Sequence, residues 1–253
     1  MKKAVNVYEV VRIINKKPLF LAEHYQRFVS SLKHFKLCPI SLQYFIDEIC
    51  KAIEIERISN GNIRIDTFID SKTQKCEIHI KEIPHHYPTP DQYGEGVKTL
   101  TYSHVRPNPQ KKIWYAELRN EIDAIIKKEN CYEVLYYNDD NCLTEGSRSN
   151  LFFIKDNKLY TPLNKQVLHG ITRQNIIKLA QEMDIEVIET NIPLSDLSLF
   201  DSAFISGTSP NILPVKMIDD FKLDIENPTL RRLIEHFYEL IQSDLEKFKG
   251  CIE

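Results

Sequence analysis

The chain has 253 residues, 42% of them hydrophobic and 27% charged, with a formal net charge of −3. That length holds one large domain or two small ones, and the balance is ordinary for a water-facing globular protein. The charge gives no electrostatic reason to expect nucleic acid, and no window approaches the roughly 18 apolar residues of a membrane span.

The opening MKKAVNVYEVVRII is β-branched but interrupted by Asn6, Glu9 and Arg12, so residues 4–14 read as a strand and not as a signal-peptide core. A cytoplasmic location is the expectation. Asn15-Lys16-Lys17-Pro18 reads as a turn and Leu19–Leu21 as a second short strand, completing a hairpin. From Ala22 the apolar residues Tyr25, Phe28, Val29, Leu32 and Phe35 recur at helical spacing, and Pro39 ends the helix. Ser41 suits the N-cap of a second helix over 42–56. Ser59-Asn60-Gly61 is a turn, and two alternating strands follow over 62–70 and 75–83. Residues 85–96, rich in Pro, Gly and charge, read as a linker. They set a boundary between a small N-terminal domain, 1–95, and a larger C-terminal one, 96–253.

The second half opens with a strand over 97–105, Pro107-Asn108-Pro109, and a helix near 113–130. A strand pair surrounds Asp139-Asp140, and a hairpin over 151–162 has Asp156-Asn157 at its tip. Gly170 precedes a helix, residues 184–192 form a strand, and an apolar strand runs into Gly207-Thr208-Ser209-Pro210. The last helix, 228–248, carries a stripe of Leu233, Phe237, Leu240, Ile241 and Leu245. Six cysteines (Cys38, Cys50, Cys76, Cys131, Cys142, Cys251) form no C-x-x-C pair. That is poor zinc spacing, so no metal is expected and the thiols read as reduced.

The densest chemistry lies in Thr144-Glu145-Gly146-Ser147-Arg148-Ser149-Asn150. A lone carboxylate beside a glycine and small hydroxyls at a strand end suits an acid that must reach one ligand atom, although the composition also fits a surface turn. This stretch resembles the hallmark of the class IV (fold type IV) pyridoxal-phosphate aminotransferases, which include branched-chain and D-amino acid aminotransferases and aminodeoxychorismate lyases. The likeness extends from Val5 to about Val215, through Glu23-His24-Tyr25-Gln26-Arg27-Phe28, Leu168-His169-Gly170-Ile171-Thr172-Arg173 and S-G-T-S-P-N-I-L-P-V at 206–215. Each motif alone is weak; their shared order makes the match specific.

The resemblance implies an α/β (α+β) two-domain fold like that of D-amino acid aminotransferases. It has a small N-terminal α/β domain, a larger C-terminal domain with a barrel-like sheet, and pyridoxal 5′-phosphate held between them. It implies Lys112 as the Schiff-base lysine. Lys111 is the rival, and the count back from Cys131-Tyr132-Glu133 favours Lys112, while both would otherwise read as solvated lysines at a helix start. It implies Glu145 as partner of the pyridine nitrogen, where a buried carboxylate would stay ionised. Arg27, the N–H groups of Ile171 and Thr172, and Thr208 and Ser209 would hold the phosphate. His24 and Glu133 match positions that line or buttress the cofactor, and Thr208 and Ser209 also border the substrate. Tyr8 matches an aromatic of the substrate pocket. Arg64 occupies the place of a carboxylate-binding arginine in branched-chain enzymes. Period-two geometry puts Asn62, Arg64 and Asp66 on one face, which is either solvent or a substrate wall.

The implied reaction exchanges an amino group between an amino acid, branched-chain L- or D-, and a 2-oxo acid. A homodimer is the implied assembly. An aminodeoxychorismate-type lyase and a catalytically degenerate member are the alternatives; K-I-W-Y-A after the lysine and an intact S-G-T-x loop favour transamination. Two departures from the pattern, a start almost directly at the Y-E-V-V strand and no Arg-x-His trap around 70–73, bear on substrate more than on cofactor.

Overall fold

The computed structural model describes residues 7–34, 40–69, 76–85 and 87–250. The chain divides into two compact units, one of residues 1–86, 111–114 and 239–253, the other of 87–110 and 115–238.

In the first unit β1 (Tyr8–Ile14) and β2 (Lys17–Pro18) form a hairpin, followed by α1 (Leu21–His34), α2 (Leu42–Ile55), β3 (Gly61–Ile69) and β4 (Cys76–Ile83). The sheet order is β2-β1-β3-β4, all antiparallel. The second hairpin strand lies at Lys17–Pro18 and not at Leu19–Leu21. Asn15 and Lys16 both take left-handed backbone, φ 50° and 63°. Such a two-residue turn matches the strand twist and brings the very next residues into pairing, leaving Leu21 to start α1. Ser41 caps α2, its Oγ accepting the Tyr44 N–H at 3.2 Å. One sheet face, carrying Val11, Ile13, Ile63 and Ile65, packs on Phe28, Leu32, Phe45 and Ile49 of the helices. The expected end of α1 at Pro39 and the loop at 70–73 lie outside the described residues. Cys131 and Cys142 are free and buried, as expected of thiols acting as small hydrophobes. Cys50 is disulfide-bonded, contrary to the reduced state expected for every cysteine.

The second unit begins with α3 (Pro90–Glu95), inside the segment read as a linker. Thr89 and Gln92 exchange side-chain and backbone hydrogen bonds in a capping box with Pro90 at the first turn, which is enough to nucleate a short helix. Then come β5 (Val97–Ser103), α4 (Ala116–Glu129), β6 (Glu133–Tyr137), β7 (Cys142–Gly146), β8 (Asn150–Lys155), β9 (Lys158–Pro162), α5 (Ile171–Glu182), β10 (Val187–Thr190), β11 (Ile192–Pro193), β12 (Ser202–Gly207), β13 (Asn211–Ile218), β14 (Phe221–Lys222) and α6 (Pro228–Lys247). Strands pair in the order β8-β12-β13-β5-β6-β7, and a β8–β7 pairing closes the ring. A six-stranded barrel results, the barrel-like sheet expected of the fold class. One apolar cluster draws on all six strands, including Val97, Leu135, Leu143, Phe153, Ile205 and Leu213, and so fills the interior. The alternate residues Val134 and Tyr136 pack against Ile122 of α4. Among the described residues no helix is long and apolar enough to cross a membrane.

Candidate cofactor and substrate site

Strand alternation divides the first unit's functional side chains between two faces. Glu9 shares the parity of Val11 and Ile13 and is 1% exposed, pointing at α1. Arg27 donates to it through Nε (2.8 Å to Oε1) and Nη2 (2.5 Å to Oε2), and His24 Nδ1 lies 3.0 Å from Oε2. His24 and Arg27 are three residues apart, hence on one helix face. Burial pushes the Glu9 carboxyl up, but the charge and hydrogen bonds of Arg27, the His24 hydrogen bond and the charge of Lys112 hold it well below the carboxylate range. Burial pulls His24 down, so it is the neutral tautomer with its proton on Nδ1 that donates to Glu9.

The opposite parity carries Tyr8, which faces Asp66 across β1–β3. The Arg64 guanidinium stacks on two rings, 4.3 Å from the Tyr8 centroid and 4.5 Å from that of Trp114. The rings stand perpendicular, 5.8 Å apart. Arg64 also pairs with Asp66, Nε and Nη2 both at 2.8 Å from Oδ1, so this face is not open solvent. Lys112 is tied to the same place. Its carbonyl accepts the Tyr8 N–H at 3.4 Å, Ile113 bridges to Val7, and its Nζ lies 5.3 Å from the Tyr8 ring centroid.

In the second unit Glu145 ends β7 at 2% exposure. Arg106 Nη1 donates to Oε1 at 2.8 Å and the Leu168 N–H to Oε2 at 3.0 Å. Burial pushes its carboxyl up, offset by Arg106 and Leu168 and reinforced by the Glu133 charge. Glu133 has the same upward push from burial. Its carboxylate is the mould for the β7–β8 turn, accepting from Ser147 Oγ at 3.2 Å, from Ser149 Oγ at 2.9 Å and from the Arg148 N–H. A Cβ on Gly146 would overlap Ser149 Oγ and lie 2.7 Å from Glu133 Oε1, so glycine lets the carboxylate close on the turn. Glu145 and Asn150 close that turn as register partners.

Asn150 Nδ2 donates to the Leu168 carbonyl at 2.9 Å, and a Cβ on Gly170 would overlap Asn150 Oδ1. Glycine at the N-cap leaves α5 without a side-chain cap. The N–H groups of Ile171 and Thr172 have no acceptor among the described residues. Thr208 and Ser209 lie in the turn between β12 and β13, half-buried.

The predicted residues thus gather in two constellations. Tyr8, His24, Arg27, Arg64 and Lys112 belong to the first unit, and Glu133, Glu145, Ile171, Thr172, Thr208 and Ser209 to the second. Glu9 and Arg106 were given no role from sequence, and Asp66 and Asn150 entered only as neighbours of Arg64 and Glu145. Glu9 had a signal, an acid in the apolar stripe of a strand, which demands a buried partner.

The barrel unit carries the buried acid of β7, and the four-stranded unit carries the lysine, the arginine and the histidine. The family model for class IV amino-transferases matches residues 6–218, and the chain belongs to that family of transaminase enzymes. It is 30% identical over 96% of its length to a probable branched-chain-amino-acid aminotransferase of Thermotoga maritima, covering 89% of that protein. It is 28% identical over 94% of its length to a D-alanine aminotransferase of Staphylococcus aureus, covering 88% of it. The branched-chain amino acid aminotransferase of Escherichia coli superposes with a TM-score of 0.84 at 24% identity, covering 98% of this chain and 90% of the other, a likeness of fold.

Proposed function

We propose that the protein transfers an amino group between an amino acid and a 2-oxo acid using pyridoxal 5′-phosphate, the cofactor of its family. The amino acid is a branched-chain L- or a D-amino acid, as the names of the relatives suggest. One observation carries the reading: the Leu168 N–H binds Glu145, which ties the buried acid to the segment that opens α5 with unclaimed N–H groups. A helix N-terminus without an internal cap fits a phosphate, and a buried acid held by the backbone N–H three residues ahead of that helix fits a ring nitrogen.

When bound, the cofactor supplies an electron sink for the negative charge left at the substrate Cα. Lys112 would carry it, and its amine would take up and return the proton at the substrate Cα as base and acid. Glu145, made more basic by burial, holds a proton at the ring nitrogen. Arg27, oriented by Glu9, would be a phosphate donor from the first unit; in the second, the Ile171 and Thr172 N–H groups would be phosphate donors, and Thr208 and Ser209 would add hydroxyls for phosphate and substrate. His24 acts through Glu9, and Glu133 acts through the turn that ends in Glu145. Tyr8 and Arg64 shape the substrate wall. The working form is a homodimer, which light scattering would register as twice the chain mass.

The test is reconstitution with pyridoxal phosphate. A visible band should appear, borohydride should abolish it, and peptide mapping should place the reduced label on Lys112. A panel of L- and D-amino acids with pyruvate or 2-oxoglutarate then identifies the donor. A colourless protein, or a label confined to Lys111, overturns the assignment.

A further inference from the structure

We propose that Asp66 is a specificity-determining residue. By occupying the guanidinium fork of Arg64 on the Tyr8–Trp114 stack, it biases the enzyme toward amino acids with uncharged side chains and against dicarboxylic ones. The inference rests on the function proposed above and deepens it by naming the substrate class.

Arg64 lies beside the chemistry. The Tyr8 ring has the Arg64 guanidinium at 4.3 Å and the Lys112 amine at 5.3 Å from its centroid, so that guanidinium and the proposed Schiff-base lysine share one aromatic ring. Two perpendicular aromatic rings flank the guanidinium, and cation–π attraction holds it without neutralising it. An arginine so arranged would by itself be a carboxylate receptor.

Asp66 changes this. It stands two residues along β3 on the same face, and three of its contacts with Arg64 lie at 2.8, 2.8 and 3.0 Å. The paired side chains are 14% and 9% exposed. A ligand carboxylate therefore meets a neutral pair. To use the fork it must displace Asp66, whose register neighbours are Tyr8 on one side and His79 on the other. A partly buried carboxylate stripped of its arginine is costly, whereas an uncharged side chain leaves the pair undisturbed. The same ordering applies to the amino acceptor, placing pyruvate ahead of 2-oxoglutarate. Asp66→Asn keeps the shape and an oxygen acceptor but removes the competing charge.

The protein carries its own reporter, since Trp114 is the single tryptophan and its ring touches Arg64. Glutarate, a dicarboxylate without an amino group, is titrated into the full-length protein with and without pyridoxal phosphate, following Trp114 emission; butyrate is the monocarboxylate control. D66N should bind glutarate about tenfold more tightly than wild type, with butyrate unchanged, and the gain should vanish in D66N/R64M. In the reconstituted enzyme the kcat/KM ratio of glutamate to valine should rise about tenfold in D66N, mostly through KM. D66S, which removes the same charge with a smaller side chain, serves if D66N does not fold. Glutarate affinity in D66N within about threefold of wild type overturns the proposal, as does a gain that survives loss of Arg64. An enzyme inactive on every amino acid would defeat the proposed function, while the glutarate titration, which needs no turnover, would still decide the role of Asp66.

Discussion

Removing the Glu9 carboxylate should unhinge the first unit. Glu9 accepts two hydrogen bonds from Arg27, at 2.8 and 2.5 Å, and one from His24 at 3.0 Å. Hydrogen bonds to charged groups contribute about 1.5–3 kcal/mol each, but extracting the ions from water offsets most of that gross sum. The measurable quantity is the cost of leaving one partner alone. Arg27 is 9% exposed at its side chain and His24 3%, so neither can recover full hydration. Glu9→Ala should therefore cost about 3–5 kcal/mol. At about 2–4 °C per kcal/mol for a chain of this size, the melting temperature should fall by roughly 10 °C. Urea unfolding read by Trp114 emission suits the assay, because that residue belongs to the same unit as Glu9. Arg27→Met alone should also destabilise, yet E9A/R27M should be more stable than E9A, because the stranded charge is gone. That coupling should reach at least about 2 kcal/mol. A loss below about 1 kcal/mol in E9A, or strict additivity in the cycle, would refute the claim that the pair anchors α1.

Acid should act on this unit in two stages. His24 has its folded pKa below the ordinary 6.5, so its contribution is complete above that value and declines as pH falls below it, the unfolded chain taking up the proton first. Glu9, also depressed, contributes fully above its ordinary 4.5 and is lost only as pH falls further. Urea midpoints should begin to drop between pH 7 and 5.5, and His24→Gln should flatten that first stage alone. In the second unit, Gly170→Ala should cost about 1–3 kcal/mol by forcing Asn150 off the Leu168 carbonyl, and clearly less in an Asn150→Ala background, as denaturation of the two pairs would show. Glu145→Gln should lower kcat about 10²–10³-fold while pyridoxal phosphate still binds, measured by the visible band and by single turnover.

Much of the fold was legible because its signals are local. The hydroxyl of Ser41 caps α2 three residues on, Asp156 and Asn157 take left-handed backbone at the β8–β9 tip, and the Leu233–Leu245 stripe of α6 is spaced by the helical repeat. The T-P-D-Q capping box of α3 was equally local, and was obscured only because proline, glycine and charge also describe linkers. Parity, too, is a property of sequence. It placed Asn62, Arg64 and Asp66 on one face, and could have turned Glu9 inward.

Partnership is not local. Glu9 meets Arg27 across 18 residues, Arg106 meets Glu145 across 39, and neither spacing belongs to a helix turn or a strand repeat. Sequence alone determined which residue types were available: an acid after Thr144, a lysine before the α4 helix, an arginine in α1, a glycine ahead of α5. Which acid faces which cation was decided only when α1 packed on the β1 face and when the barrel strands brought the segment after β5 to β7. Periodicity fixes the direction of a side chain relative to its own backbone, but the object it points at comes from another part of the chain, brought there by the burial of a shared core.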